Sequence, residues 1–64
     1  MKLKEYRDKN GKTQTEVAEF LGMSQNGYSM IETGSRKLSI KNAKMLAKLY
    51  DMNWWELFED PKND

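Results

Sequence analysis

Gln25, Asn26, Ser29 and Met30 lie within a turn and a half of one expected helix, immediately after a Ser at position 24. An amide side chain donates and accepts at once, the pairing that the N6/N7 edge of adenine offers in the DNA major groove. A serine hydroxyl can serve either role there, and the Met30 thioether could meet a thymine methyl. Polar residues at a helix start are also ordinary solvated surface, so these four gain meaning only from the elements that hold them. A second chemistry is cationic. Residues 35–48 carry Arg36, Lys37, Lys41, Lys44 and Lys48 with no acid, and residues 1–12 carry five cations against two acids. Residues 13–34 hold three acids and no cation, and residues 49–64 hold five acids and one Lys. The net charge of +1 therefore hides two basic blocks that could form one basic face, or simply the solvated sides of Lys-rich helices.

Other chemistries are excluded or unsupported. The chain has no Cys and no His, which removes disulfides, thiolate and imidazole metal sites and the commonest general acid/base. There is no Gly-rich phosphate loop. Glu16 and Glu19 share a helix face, but capping and solvation explain them. No enzyme, metal, cofactor or small-molecule ligand is expected. At 64 residues the chain holds one domain at most. Such a domain buries only roughly 60% of the surface its unfolded chain exposes, so its core is thin and association with a second copy is expected to help. No apolar run approaches the ~18 residues of a membrane span, and no secretory leader is evident. The cytoplasm is the expected compartment, with no membrane partner.

The elements that must position these residues are short helices punctuated by glycines. Leu3, Tyr6 and Arg7, followed by Asn10 and Gly11, predict a first helix with a glycine stop. Thr13 to Glu16 reads as a reciprocal capping box, opening a second helix with Val17, Ala18, Phe20 and Leu21 at helical spacing, stopped by Gly22. Ser24 caps a third helix that runs through Glu32 to Gly34. Ser39 opens a fourth, with Ile40, Ala43, Leu46, Ala47 and Tyr50 on one stripe. Asn53 to Glu56 reads as a second capping box before a short fifth helix with Trp54, Leu57 and Phe58 on one face. Nothing alternates with period two, so the expected fold is an all-α five-helix bundle over residues 1–58, followed by a polar tail over 59–64 that is expected to fray.

Helices 2 and 3 are separated only by Gly22, Met23 and the cap Ser24. So short a turn forces a steep crossing, with small Ala18 where helix 3 must approach and Val17, Leu21, Met23, Tyr28 and Ile31 on the facing surfaces. This is the spacing of a helix-turn-helix unit, in which the start of the second helix projects from the core.

The run Thr13-Gln14-Thr15-Glu16-Val17-Ala18-Glu19-Phe20-Leu21-Gly22-Met23-Ser24-Gln25, followed by Ile31-Glu32-Thr33-Gly34-Ser35-Arg36, resembles the phage-repressor (Cro/repressor, or XRE) helix-turn-helix family. The likeness continues through Leu46 to Tyr50 and Trp54 to Phe58, and spans roughly Leu3 to Phe58. The resemblance implies a repressor-like bundle and a sequence-specific regulator of transcription that binds double-stranded DNA as a dimer; repression is the expected mode, the sequence itself leaving activation open, and a homodimer completed on the DNA is the expected assembly. It implies base reading by Gln25, Asn26, Ser29 and Met30. The other class kept open is a protein-interaction module on the same scaffold, such as an antitoxin or an anti-repressor partner; fold alone does not separate the two. The basic block and the amide-rich tip favour DNA, since a pure protein binder needs neither.

Several further positions take an expected role. Gln14 opens helix 2, whose free N–H groups suit a phosphate, and family members use a Gln there to brace the first reading residue; the lesser alternative is a plain capping residue. Ser24, Ser35, Arg36, Lys37, Lys41 and Asn42 bring hydroxyls, cations and free N–H groups that suit the phosphate backbone. Glu32 lies at the helix end that disfavours an acid, and the resemblance points to a bridge with Arg7. Gly27 is out of place inside helix 3, where glycine costs ~1 kcal/mol relative to Ala. Either the DNA or helix 2 comes too close for a side chain, or the position is tolerant. Trp55 stands where the family usually has a polar residue, which makes it a candidate dimer contact, or else it folds over the helix 4 stripe.

Overall fold

The computed structural model describes residues 2–58; the polar tail expected over 59–64 lies outside them. Four α-helices run in order, α1 (Leu3–Lys9), α2 (Gln14–Leu21), α3 (Gln25–Thr33) and α4 (Ile40–Tyr50), followed by a 3-10 helix, Trp54–Phe58. There is no strand among the described residues.

Each boundary has a local cause. Thr13 accepts the Glu16 N–H at 3.1 Å while the Glu16 carboxylate accepts the Thr13 N–H at 2.8 Å, closing the reciprocal cap. Gly22 then ends α2 with φ 74°, a backbone shape that costs a side chain roughly 1–2 kcal/mol. The Met23 N–H bonds back to the Ala18 carbonyl at 2.9 Å, so the turn into α3 is tight. Ser24 and Ser39 cap α3 and α4 by accepting the N–H groups of Gly27 at 3.0 Å and Asn42 at 3.1 Å.

The core lies where α2 and α3 meet α4 and the 3-10 helix, built from Leu3, Val17, Ala18, Tyr28, Ile31, Leu38, Ala43, Leu46, Tyr50 and Leu57. Fully burying a Leu or Ile is worth roughly 1.5–3 kcal/mol, so these few side chains carry most of the favourable energy of a small fold.

Three expectations need correction. The fifth helix is a 3-10 helix, not an α-helix, and Asn53 does not cap it reciprocally. The Asn53 amide instead donates to the Glu56 carboxylate at 3.0 Å, and the Glu56 N–H bonds to the Asn53 carbonyl three residues back at 3.1 Å. Five residues are too few to offset helix nucleation, so the tighter turn prevails. At three residues per turn Trp54 and Leu57 eclipse each other, and the Trp54 ring meets Trp55 and Phe58 edge-on at 5.9 Å and 6.1 Å. Leu57 is accordingly buried, Trp54 half-buried, and Trp55 and Phe58 exposed. Ile40 is 55% exposed although it continues the α4 stripe. It is the first residue of α4, and a side chain there leans toward the helix start, past the body of the core. Phe20 is exposed as well, because it points roughly 100° away from the centre of the Val17–Ala18–Leu21 face.

Candidate nucleic-acid interface

The first turn of α3 stands clear of the core, and Gln25 and Asn26 are its first two residues, both exposed. Met30, one turn on, is exposed, and Ser29 is half-buried beside it. A continuous polar chain runs back from this tip into the molecule. The Gln25 amide nitrogen donates to Gln14 Oε1 at 2.7 Å. Gln14 Nε2 donates to Glu32 Oε1 at 3.0 Å. Arg7 then grips Glu32 side-on, Nε to Oε2 at 2.6 Å and Nη2 to Oε1 at 3.3 Å, and spends Nη1 on the Lys12 carbonyl at 3.0 Å. Helices α1, α2 and α3 are thus joined by one ion pair and two amides.

The pair is well shielded, with the Arg7 and Glu32 side chains 11% and 5% exposed. Burial works against a charged Glu32, but the Arg7 guanidinium and the Gln14 amide, followed by the nearby Tyr28 hydroxyl, outweigh it and hold the carboxyl below the usual range. In return the hydrogen bond to Glu32 raises the Arg7 pKa against the cost of burial. The Tyr28 hydroxyl acts on Glu32 by proximity, without a hydrogen bond of ordinary length among the described residues. Burial pushes the Tyr28 and Tyr50 hydroxyls upward, so both remain neutral.

The network also fixes which way the amides point. A carboxylate only accepts, so Gln14 must turn its nitrogen to Glu32 and its oxygen to Gln25. Gln25 in turn spends one N–H on Gln14 and retains the other N–H and its own oxygen, facing solvent.

The expected phosphate contacts lie on the ends of α2, α3 and α4 and the loop between α3 and α4. Ser35, Arg36, Lys37 and Lys41 are exposed, and Asn42 is half-buried. The Ser24 oxygen and the Asn42 N–H are engaged in capping, so each has less to offer a ligand than its residue type suggests. Lys44 is drawn aside over the Trp54 ring, 5.9 Å from its centroid. Two features went unread in the sequence: the Lys12 carbonyl that takes the third Arg7 contact, and the Thr33 hydroxyl that links the Met30 carbonyl at 3.1 Å to Ser35 Oγ at 3.3 Å. Nothing in residue type announces a carbonyl acceptor, and Thr33 looked like one more polar residue at a helix end. Trp55 is 52% exposed and meets the Trp54 ring edge-on at 5.9 Å. No group of three or more His, Cys, Asp or Glu converges as a metal site among the described residues, and no helix there is long and apolar enough to cross a membrane.

A short α2–turn–α3 unit buttressed by α1 and α4, with an amide-bearing tip, defines a helix-turn-helix protein. The helix-turn-helix family model matches residues 3–54, and the chain belongs to that family, in its XRE-type branch. It is 37% identical over 62 residues to an uncharacterized HTH-type transcriptional regulator, YqaF, of Bacillus subtilis (strain 168), an alignment that covers 97% of this chain and 82% of that protein. No solved structure matches the chain at comparable stringency.

Proposed function

We propose that the chain is a sequence-specific regulator of transcription that binds double-stranded DNA, laying the first turn of α3 in the major groove, and that it has no enzymatic role. The observation that carries this reading is the braced Gln25 amide. Its remaining N–H and oxygen form the donor–acceptor pair that adenine N7 and N6–H₂ require, and its bond to Gln14 removes rotamer freedom before any DNA arrives. Asn26, Ser29 and Met30 supply the neighbouring base contacts. Gln14, Ser24, Ser35, Arg36, Lys37, Lys41 and Asn42 supply the sequence-independent contacts to phosphate. Repression is the mode such a reading head suits, because occupying a site requires no further contact with the transcription machinery. Two copies acting on a two-fold site are supported by the exposed rings of Trp55 and Phe58 on the 3-10 helix, 52% and 40% exposed. The YqaF protein's designation as a transcriptional regulator agrees with this reading.

Selection of bound duplexes from a random pool tests it. A single preferred site is expected, and Gln25→Ala should weaken binding to it by ~1–3 kcal/mol while relaxing the preference at one A·T pair. A pool that yields no enriched sequence, or a variant as tight and selective as the parent, overturns it.

A further inference from the structure

Gly27 is the third residue of α3, buried at the otherwise exposed start of the helix. Its backbone does not ask for glycine: it is absent from the positive-φ residues, which are Gly11, Gly22, Gly34 and Asp51. Nor does α2 crowd it. A Cβ built at Gly27 meets two atoms only, Arg36 Nη1 at 3.0 Å and Ser24 Oγ at 3.2 Å. Both are side-chain ends, and a methyl at Gly27 would press the exposed Arg36 guanidinium back by a few tenths of an ångström.

Arg36 reaches this place by a defined route. Its backbone N–H bonds to the Met30 carbonyl at 3.1 Å, which folds the loop after α3 back along that helix. The side chain then runs toward the start of α3, where the guanidinium lies against Gly27 without a hydrogen bond or ion pair to another described residue. For the free protein this is a poor location. The start of a helix carries partial positive charge, and a cation beside it is repelled. The arrangement becomes favourable when an anion joins both the guanidinium and the helix end.

We propose that Gly27 is a positioning residue for DNA binding: by leaving no side chain, it lets the Arg36 guanidinium lie directly against the first turn of the reading helix, so that Arg36 meets a backbone phosphate beside Gln25 and Asn26. The inference rests on the DNA-binding reading above and deepens it. Glycine at this position thereby exchanges helix propensity for the placement of one cation.

The test is a double-mutant cycle of Gly27→Ala and Arg36→Ala, with affinity for the selected duplex and for a random duplex measured across a salt series. Gly27→Ala should weaken both duplexes three- to tenfold, as loss of a phosphate contact does, while melting no lower than the parent because Ala is the better helix former. Arg36→Ala should reduce the salt slope by ~1, and in its background Gly27→Ala should change affinity less than twofold. In the free protein, NMR should show proximity between the Gly27 Hα and the Arg36 side chain, weakened in Gly27→Ala.

Equal losses from Gly27→Ala with and without Arg36 overturn the proposal, as does no loss at all or the absence of that proximity. A loss confined to the selected duplex makes Arg36 a base reader and overturns the phosphate assignment. A parent chain that shows the proximity but binds neither duplex overturns the DNA-binding reading itself, and the role of Gly27 with it.

Discussion

Glu32 holds two neighbours of opposite purpose, a cation that neutralises it and an amide that passes its orientation outward to Gln25. Its carboxyl pKa is depressed in the folded state, so its stabilising contribution is fully present above the unfolded value of about 4.3 and is lost as pH falls through the lower folded value. Glu16 shifts in the same direction, chiefly through the Thr13 N–H that it accepts, so acid weakens both the buttress and the α2 cap. Glu32→Gln should therefore lower stability at neutral pH and flatten its decline between about pH 5 and pH 3, as read by urea unfolding at a series of pH values. A decline as steep as the parent's would mean that other carboxyls carry the acid sensitivity. The same substitution gives Gln14 an acceptor and a donor to choose between, which frees its amide to flip and loosens the brace on Gln25.

At the scale of the element, most of this fold is written in short-range signals. Thr13, Ser24 and Ser39 each announce a helix start because a hydroxyl three residues before a free N–H can satisfy it, and Gly22 and Gly34 announce stops. Thr13→Ala removes the hydroxyl half of the only reciprocal cap among the described helices, and should cost about 1 kcal/mol with an unchanged dependence on denaturant. No change in the urea midpoint would show that the Glu16 half suffices. What the sequence left unread is set by distance or by a change of helical pitch. The Asn53–Glu56 spacing fits a capping box, but the segment is too short for α geometry, and Phe58 stays exposed although its ring meets Trp54. Ile40 has the right period for the core but lies beyond its edge. The contact between Gly27 and Arg36 joins residues nine positions apart through a folded-back loop, and no local pattern encodes it. In the candidate site the residue types at the tip were legible from the motif. The direction of the amides was not, since it depends on Arg7 and Glu32 meeting from opposite ends of the fold.

For the whole molecule the governing fact is a core of few side chains set beside an uncovered aromatic face. Among the described residues Trp55 and Phe58 are exposed on the 3-10 helix, and on the proposed reading a helix tip that touches few base pairs gains from a second copy held about 34 Å away, one turn of DNA. Sedimentation at high protein concentration should show self-association that Trp55→Ala reduces, with the larger difference in the presence of the selected duplex. Indistinguishable behaviour of the two proteins, with and without DNA, would remove Trp55 from the contact and leave base reading by α3 untouched.

One position bears on how long each molecule lasts. Asp51 closes α4 at φ 56°, ψ 57°, and is the one non-glycine residue at positive φ among those described. As the C-cap it places an acid at the negative end of the helix it terminates, so both its backbone shape and its charge oppose the fold. Asp51→Gly should add about 1 kcal/mol of stability. Where a protease cuts only transiently opened chains, that is roughly a fivefold longer survival, measurable as the half-life under limiting thermolysin. An unchanged half-life would mean that cleavage proceeds through a frayed segment without opening of the core. For a regulator of transcription the lifetime of each molecule is a form of control, because the shorter it is, the more closely occupancy of a DNA site follows synthesis in time.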